Sequence, residues 1–395
     1  MSRPSVAAAK PSATQKHDDG ARTPFNWNVY GLIFGVAAVW LAFAILTGGL
    51  FLTGRNISLL LVQSVILAIA ALGMMLVMVA GHIDLSVGSA VGLTATVAAG
   101  LQSQLDLGIP AMIAVVVMVG LVLGAWQGFW VAVVGVPAFI VTLGGMLTFR
   151  GITYVITEGQ TLGPVDDALH AFTLMTIGRV PSVILCVLVA AGIIWSVLVQ
   201  SRNARRRAGM DDGGRFVSDS VPVLLLLALL AWAAIAYQGI PMPAVVVAVL
   251  AVVLGLIARH TFYGRRLYAI GDNPESARRV GVNVKAYVFF LFLGMGVIYS
   301  LDGIMLAARL NGAPPDPALF LELNAITAVI IGGTSLFGGI GTVRGTLLGA
   351  ILLGSLANGM QLAGVSTYLQ FVVQGLVLVG AVALDTVLKK RRVRG

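Results

Sequence analysis

The chain is poor in charge and cysteine, and it lacks a nucleotide-binding glycine loop. Only 10% of its 395 residues are Asp, Glu, Lys or Arg, against about 25% in a soluble domain. That excludes an ordinary water-soluble globule, the more so because 58% of residues are hydrophobic. The single cysteine, Cys186, excludes a disulfide within the chain and reads as a small buried hydrophobe in an apolar run. No G-x-x-x-x-G-K-[ST] sequence occurs, so there is no Walker A phosphate cradle. If the protein's work uses ATP, another polypeptide must hydrolyse it, and the chain itself is not expected to be an enzyme. His82 beside Asp84 has no further ligands clustered near it in sequence, so neither a metal nor a cofactor is expected. Residues 1–29 lack an apolar h-region with a small-residue cleavage site, and they read as a disordered cytoplasmic tail.

Long apolar runs are what the chain has instead. A helix needs about 20 apolar residues to cross a bilayer. Such spans are read at 30–50, 57–79, 86–102, 109–134, 136–157, 181–199, 221–238, 241–258, 287–309, 323–340, 345–363 and 367–386. The fold class expected is an all-α polytopic membrane protein with about 12 transmembrane segments, 10 being the alternative. Some segments are short or broken, and both termini are cytoplasmic. Basic residues concentrate on cytoplasmic loops, and this topology puts 21 of the 25 Lys and Arg there. The net charge of +9 therefore records topology, and no nucleic-acid partner is expected. A single transmembrane domain over 30–386, holding the charged stretch 259–285, is followed by a basic cytoplasmic tail at 387–395.

Two stretches interrupt the apolar pattern. Gly81 to Ser89 reads GHIDLSVGS. A carboxylate such as Asp84 is costly in hydrocarbon and much cheaper at an interface. An interfacial turn capped by Ser86 or Asp84 and a transport-path role both stay open. The second stretch runs from Glu322 to Gly341, with five glycines over 332–341. Short, glycine-interrupted segments in two halves of a membrane chain point to a translocation path. Arg150, Asp302 and Arg309 are the remaining ionisable groups within or at the ends of spans, and Arg150 either snorkels outward or pairs with an acid.

One charged island breaks the chain at 259–285, RHTFYGRRLYAIGDNPESARRVGVNVK. Asn273 is a good N-cap and Pro274 suits the first helical position. Glu275 favours the positive end of the helix dipole, Arg278 and Arg279 the negative end, and Gly281 supplies the stop. A helix this short is unstable alone, so it makes sense as a docking element.

Several motifs in order carry a family resemblance over about 52–385. Gly81 to Ser89 is similar to G-x-I-D-L-S-V-G-S, and Pro137 to Leu143 to P-x-F-I-x-T-L. Gly264 to Gly271 and Asn273 to Val284 look like a coupling segment. Glu322 to Ile326, Gly332 to Leu336 and Asn358-Gly359 match further motifs. The chain resembles the membrane permease subunits of bacterial ABC monosaccharide importers of the ribose/xylose/galactose type. Its added length over 181–220 looks most like the xylose type. Asn324, Thr327, Phe337 and Gln127 depart from the usual residues.

The resemblance implies a multi-pass protein of the bacterial inner membrane that passes a small sugar, a pentose such as D-xylose first, by alternating access. The implied partners are an ABC ATPase subunit, a periplasmic sugar-binding protein, a second copy of the chain and the lipid bilayer. The implied ATPase-coupling residues are Arg265, Arg266, Gly271, Asn273, Pro274, Glu275, Ala277, Arg278, Arg279, Val280 and Gly281. The candidate path residues are Asp84, Ser86, Ser89, Phe139, Thr142, Asn324, Thr334, Ser335 and Asn358. An ion- or proton-coupled secondary transporter, using Asp84 or Asp302, is the alternative.

Overall fold

A computed structural model describes residues 27–208, 224, 228, 231–232 and 235–394. The N-tail over 1–26, most of the expected span 221–238 and Arg215 lie outside the described residues. Among the described residues every regular element is helical, and strand-like pairing is limited to the isolated bridges Leu162↔Ala313 and Thr176↔Pro241.

The helices are α1 (Trp27–Leu46), α2 (Gly54–Val79), α3 (Val87–Ser103), α4 (Ile109–Gly128), α5 (Ala138–Thr157), α6 (Asp167–Leu174) and α7 (Arg179–Ala208). They continue as α8 (Met242–His260), α9 (Phe262–Asp272), α10 (Pro274–Arg279), α11 (Val284–Leu310), α12 (Leu321–Ile331), α13 (Val343–Leu362) and α14 (Thr367–Arg394). Among the described residues six stretches are long and apolar enough to cross a membrane: α2, α4 with its wider-wound extension to Val134, α5, α8, α11 and α13. Shorter apolar helices join them, as in a multi-pass membrane protein.

The apolar stretch of α2 is almost wholly buried, and α2 packs against α13, α12, α11 and α8. A helix apolar on every side belongs at the centre of such a bundle. In the tightest pairing, α4 lies on α11 through small residues. A Cβ added at Gly120 or at Gly296 would fall on the other helix's backbone carbonyl. Without lipid-facing hydrophobic drive, close van der Waals approach of this kind is what joins membrane helices.

Two expectations change. The span expected at 323–340 is not a continuous helix. Helix α12 stops at Ile331, and Gly333, Gly338 and Gly339 then adopt positive φ in an irregular return to α13. Eleven residues rise only about 16 Å, roughly half the apolar thickness. The charged island is also more ordered than a loop with one short helix, because α9 precedes α10 and is capped by Thr261 accepting from Gly264 N.

Candidate functional site

The turn between α2 and α3 folds around Asp84, which is fully buried. Its Oδ1 accepts from Ser86 N at 2.8 Å and from Ser86 Oγ at 2.7 Å. Tyr299 of α11 donates to Oδ2, and Gln127 of α4 donates through Nε2 to Ser86 Oγ. The Tyr299 hydroxyl also lies 3.2 Å from Gln127 Oε1. From α5, Thr142 Oγ1 receives Leu85 N at 3.0 Å and donates to the Ile83 carbonyl at 3.3 Å. Three further helices, α4, α5 and α11, are thus tied to one turn. Ser89 caps its own turn through Ser86 O at 2.9 Å. Ser86 stands at the N-cap of α3 but makes no capping bond, because its hydroxyl is committed to Asp84. Sequence reading missed Tyr299 altogether. Its only signal was a hydroxyl three residues before Asp302 in the same apolar span.

A charged group lies close above this knot. Arg150 of α5 sits 3.6 Å from Asp316 and 3.9 Å from Glu322 of α12. Of the two readings of Arg150, pairing is the one realised, and the partners come from the irregular entry to α12. A Cβ on Gly88 would strike Glu322 Oε2 and the Ala318 carbonyl. The starts of α3 and α12 therefore press together inside the bundle. Asp302 is buried with no hydrogen-bond partner among the described residues. Its face-mate Arg309 reaches the Gln63 carbonyl at 3.4 Å instead.

The other candidate path residues fall elsewhere. Asn358 accepts from Asn56 Nδ2 at 2.9 Å and donates to Gln63 Oε1 at 3.1 Å, so it ties α13 to α2. Thr334 and Ser335 are buried in the glycine-rich return. Phe139 is exposed and lines a cleft of about 610 Å³ with His82, Pro274, Arg278, Lys285 and Phe337. Burial pushes the His82 imidazole down, so it faces this cleft neutral. Asn324 lies apart from all of these, in a second cleft of about 160 Å³ between α12 and α14.

The island forms a small platform at the end of α8. Asn273 Oδ1 caps α10 by accepting from Ser276 N at 2.9 Å, and Gly281 ends it at φ 85°. Arg278, Arg279 and Glu275 are exposed, with Arg279 and Glu275 paired at 2.9 Å, and Val280 is 80% exposed. Arg265 stacks on Phe262, and Arg266 bonds the Tyr287 hydroxyl. Two expected contact residues do not face out. Ala277 is buried, so it seats α10. Gly271 is buried where a Cβ would fall on the Val79 carbonyl and close to Gly339 N.

Gly271 marks a three-way joint. Gly339 N donates to Val79 O at 2.9 Å, and Tyr268 of α9 donates to Gly341 O at 2.8 Å. The end of α9 thereby touches the end of α2 and the glycine-rich return. Burial pushes the Tyr268 phenol up, partly offset by Arg259, so it stays a neutral donor.

A bundle of long apolar helices with charged and irregular backbone buried inside it defines a membrane transport component rather than a soluble domain. The chain belongs to the family described as branched-chain amino acid transport system / permease component, whose profile matches residues 56–382. It is 39% identical over 372 residues to the xylose transport system permease protein of Escherichia coli K12, covering 93% of each chain. It is 31% identical to the D-allose transport system permease protein of the same strain, over 95% of this chain and 98% of the relative. A ribose import permease of Haemophilus influenzae is 32% identical, over 87% of this chain and 88% of the relative. No solved structure matches.

Proposed function

We propose that the chain is the permease subunit of an ATP-driven, binding-protein-dependent monosaccharide importer of the bacterial inner membrane, with D-xylose the first candidate substrate. The sequence similarity over nearly the whole chain to xylose, allose and ribose permeases supports the class of cargo. The joint at Gly271 supports the mode of drive. The platform of α9 and α10 faces the cytoplasm on this reading, with both termini on the same side and 12 crossings. An ATPase docks on Arg278, Arg279, Glu275 and Val280. Displacement of α9 then reaches the α2–α3 turn and the glycine-rich return together, because Val79, Gly271 and Gly339 touch. ATP can drive access only by favouring one of two arrangements of these segments. A second copy of the chain completes the path.

Reconstitution tests the reading. Uptake of D-xylose into proteoliposomes is expected to need this chain, an ATPase subunit, the binding protein and ATP. Uptake by this chain alone under a proton gradient would overturn it in favour of the ion-coupled carrier, with Asp84 or the unpartnered Asp302 as the coupling acid.

A further inference from the structure

The cleft between α12 and α14 is built differently from the Asp84 turn. Phe320 and Phe371 close one end with their rings edge to face at 5.2 Å. Asn324, Thr327 and Gln374 line it, together with Leu323, Gly375 and Leu378. Thr327 returns its hydroxyl to the Leu323 carbonyl at 2.6 Å. The amides of Asn324 and Gln374 have no hydrogen-bond partner among the described residues. No charged side chain lines the space.

Its position is as informative as its lining. Asn324 lies one turn into α12, whose entry 311–320 is irregular and carries Phe320 at φ 61°. Gln374 lies two turns into α14, well inside its apolar stretch. Both amides therefore sit at membrane depth. Irregular backbone and polar groups at that depth are tolerated where they are buried in protein or line a water-filled space, and these two amides border an open cleft. Two carboxamides offer donors and acceptors together, aromatic rings offer an apolar face, and about 160 Å³ suits a single small molecule. A cation would want carboxylates and an anion would want arginines, and neither is present. What fits is a small neutral polyol, whose hydroxyls donate and accept and whose C–H face packs on an aromatic ring.

We propose that this cleft is a sugar-binding subsite on the translocation path, with Asn324 and Gln374 bonding hydroxyls and Phe371 and Phe320 packing the ring face. The assignment rests on the importer reading. It adds Gln374, Phe371 and Phe320, and it moves the sugar away from the Asp84 turn, whose polar atoms are already engaged.

The test uses the full-length chain with its one native thiol removed by Cys186→Ser, reconstituted with ATPase and binding protein. Uptake of D-xylose, D-ribose and D-allose is measured first, each with a binding protein that carries it. No ATP-driven uptake of any of them sinks the importer reading, whatever the cleft does. Next, Gln374→Cys and Asn324→Cys are treated with a charged, water-soluble thiol reagent, beside Leu376→Cys on the exposed apolar face of α14. The expected result is labelling at 374 and 324 but not at 376, slowed at least threefold by the transported sugar. Labelling no faster at 374 and 324 than at 376, or labelling indifferent to sugar, overturns the subsite. The decisive pair is Gln374→Leu and Asn324→Ser. Uptake should fall at least tenfold while ATP hydrolysis stimulated by the binding protein stays within twofold of the parent. Uptake within twofold of the parent in both variants, or loss of uptake and hydrolysis together in both, also overturns the subsite.

Discussion

The Asp84 turn and the Asn324 cleft are both polar places inside an apolar bundle, but their hydrogen bonds are arranged in opposite ways. Around Asp84, each carboxylate oxygen has a donor, and Ser86, Gln127, Thr142 and Tyr299 all spend their polar atoms on one another or on backbone. Around Asn324, two amides are left open to a cleft. A fully satisfied buried network fixes geometry and is costly to break. An unsatisfied one waits for a ligand or for water. The difference teaches that the residue most conspicuous in the sequence, a carboxylate between apolar runs, has both oxygens engaged by the fold. A less conspicuous amide is the group left without a hydrogen-bond partner among the described residues, beside a cleft.

The comparison breaks first at Asp84. Asp84→Ala leaves Ser86 and Tyr299 without their acceptor, which is expected to cost about 3 kcal/mol or more. The readout is the midpoint of thermal unfolding in detergent, and an unchanged midpoint would show that these bonds do not hold the fold. Gly88→Ala is next, because its Cβ falls on Glu322 and on the rigid Ala318 carbonyl. Overpacking of that kind costs about 1–3 kcal/mol, and the labelling rate of buried Cys186 on heating should rise accordingly. Tyr299→Phe keeps the ring and loses one charge-assisted bond, for about 1.5–3 kcal/mol. Its melting shift should exceed that of Gln127→Leu, which loses a neutral bond.

The cleft sits at the other end of the scale. Asn324→Ala and Gln374→Ala should each change the unfolding midpoint by no more than about 0.5 kcal/mol's worth, because neither amide holds up the fold. A large loss of stability in either would erase the contrast. On the platform, Glu275→Arg breaks an exposed i,i+4 pair worth about 0.3–0.5 kcal/mol. Folding should be untouched, and co-purification with the ATPase should drop. Equal co-purification would argue that α10 does not dock it.

Much of this was legible in the chain. The apolar runs matched α2, α3, α5, α8, α11 and α13 within about three residues at each end, because long hydrophobic periodicity is the strongest local signal. Asn273, Pro274 and Gly281 announced α10, because caps act within one turn of chain. The break after Ile331 was harder. Apolar residues Leu336, Phe337 and Ile340 continue the run and hide Gly338 and Gly339, which lie against the backbone at the end of α9. The resemblance places Ala277 and Gly271 among the ATPase-coupling residues, yet both are buried. Which side of a short helix is covered depends on elements distant in sequence, here α2 and the return before α13.

The sequence by itself determined that this is an all-helical membrane protein with a charged island and two interrupted segments. Hydrophobicity, charge and capping are properties of neighbouring residues, so they can be read without a fold. Only the tertiary structure decided which polar residues are engaged by the fold and which border an open cleft. Tyr299 meets Asp84 across 215 positions, and Phe371 meets Phe320 across 51. Partnership at such range comes from the packing of α11 and α14 against the bundle, and no local pattern encodes it.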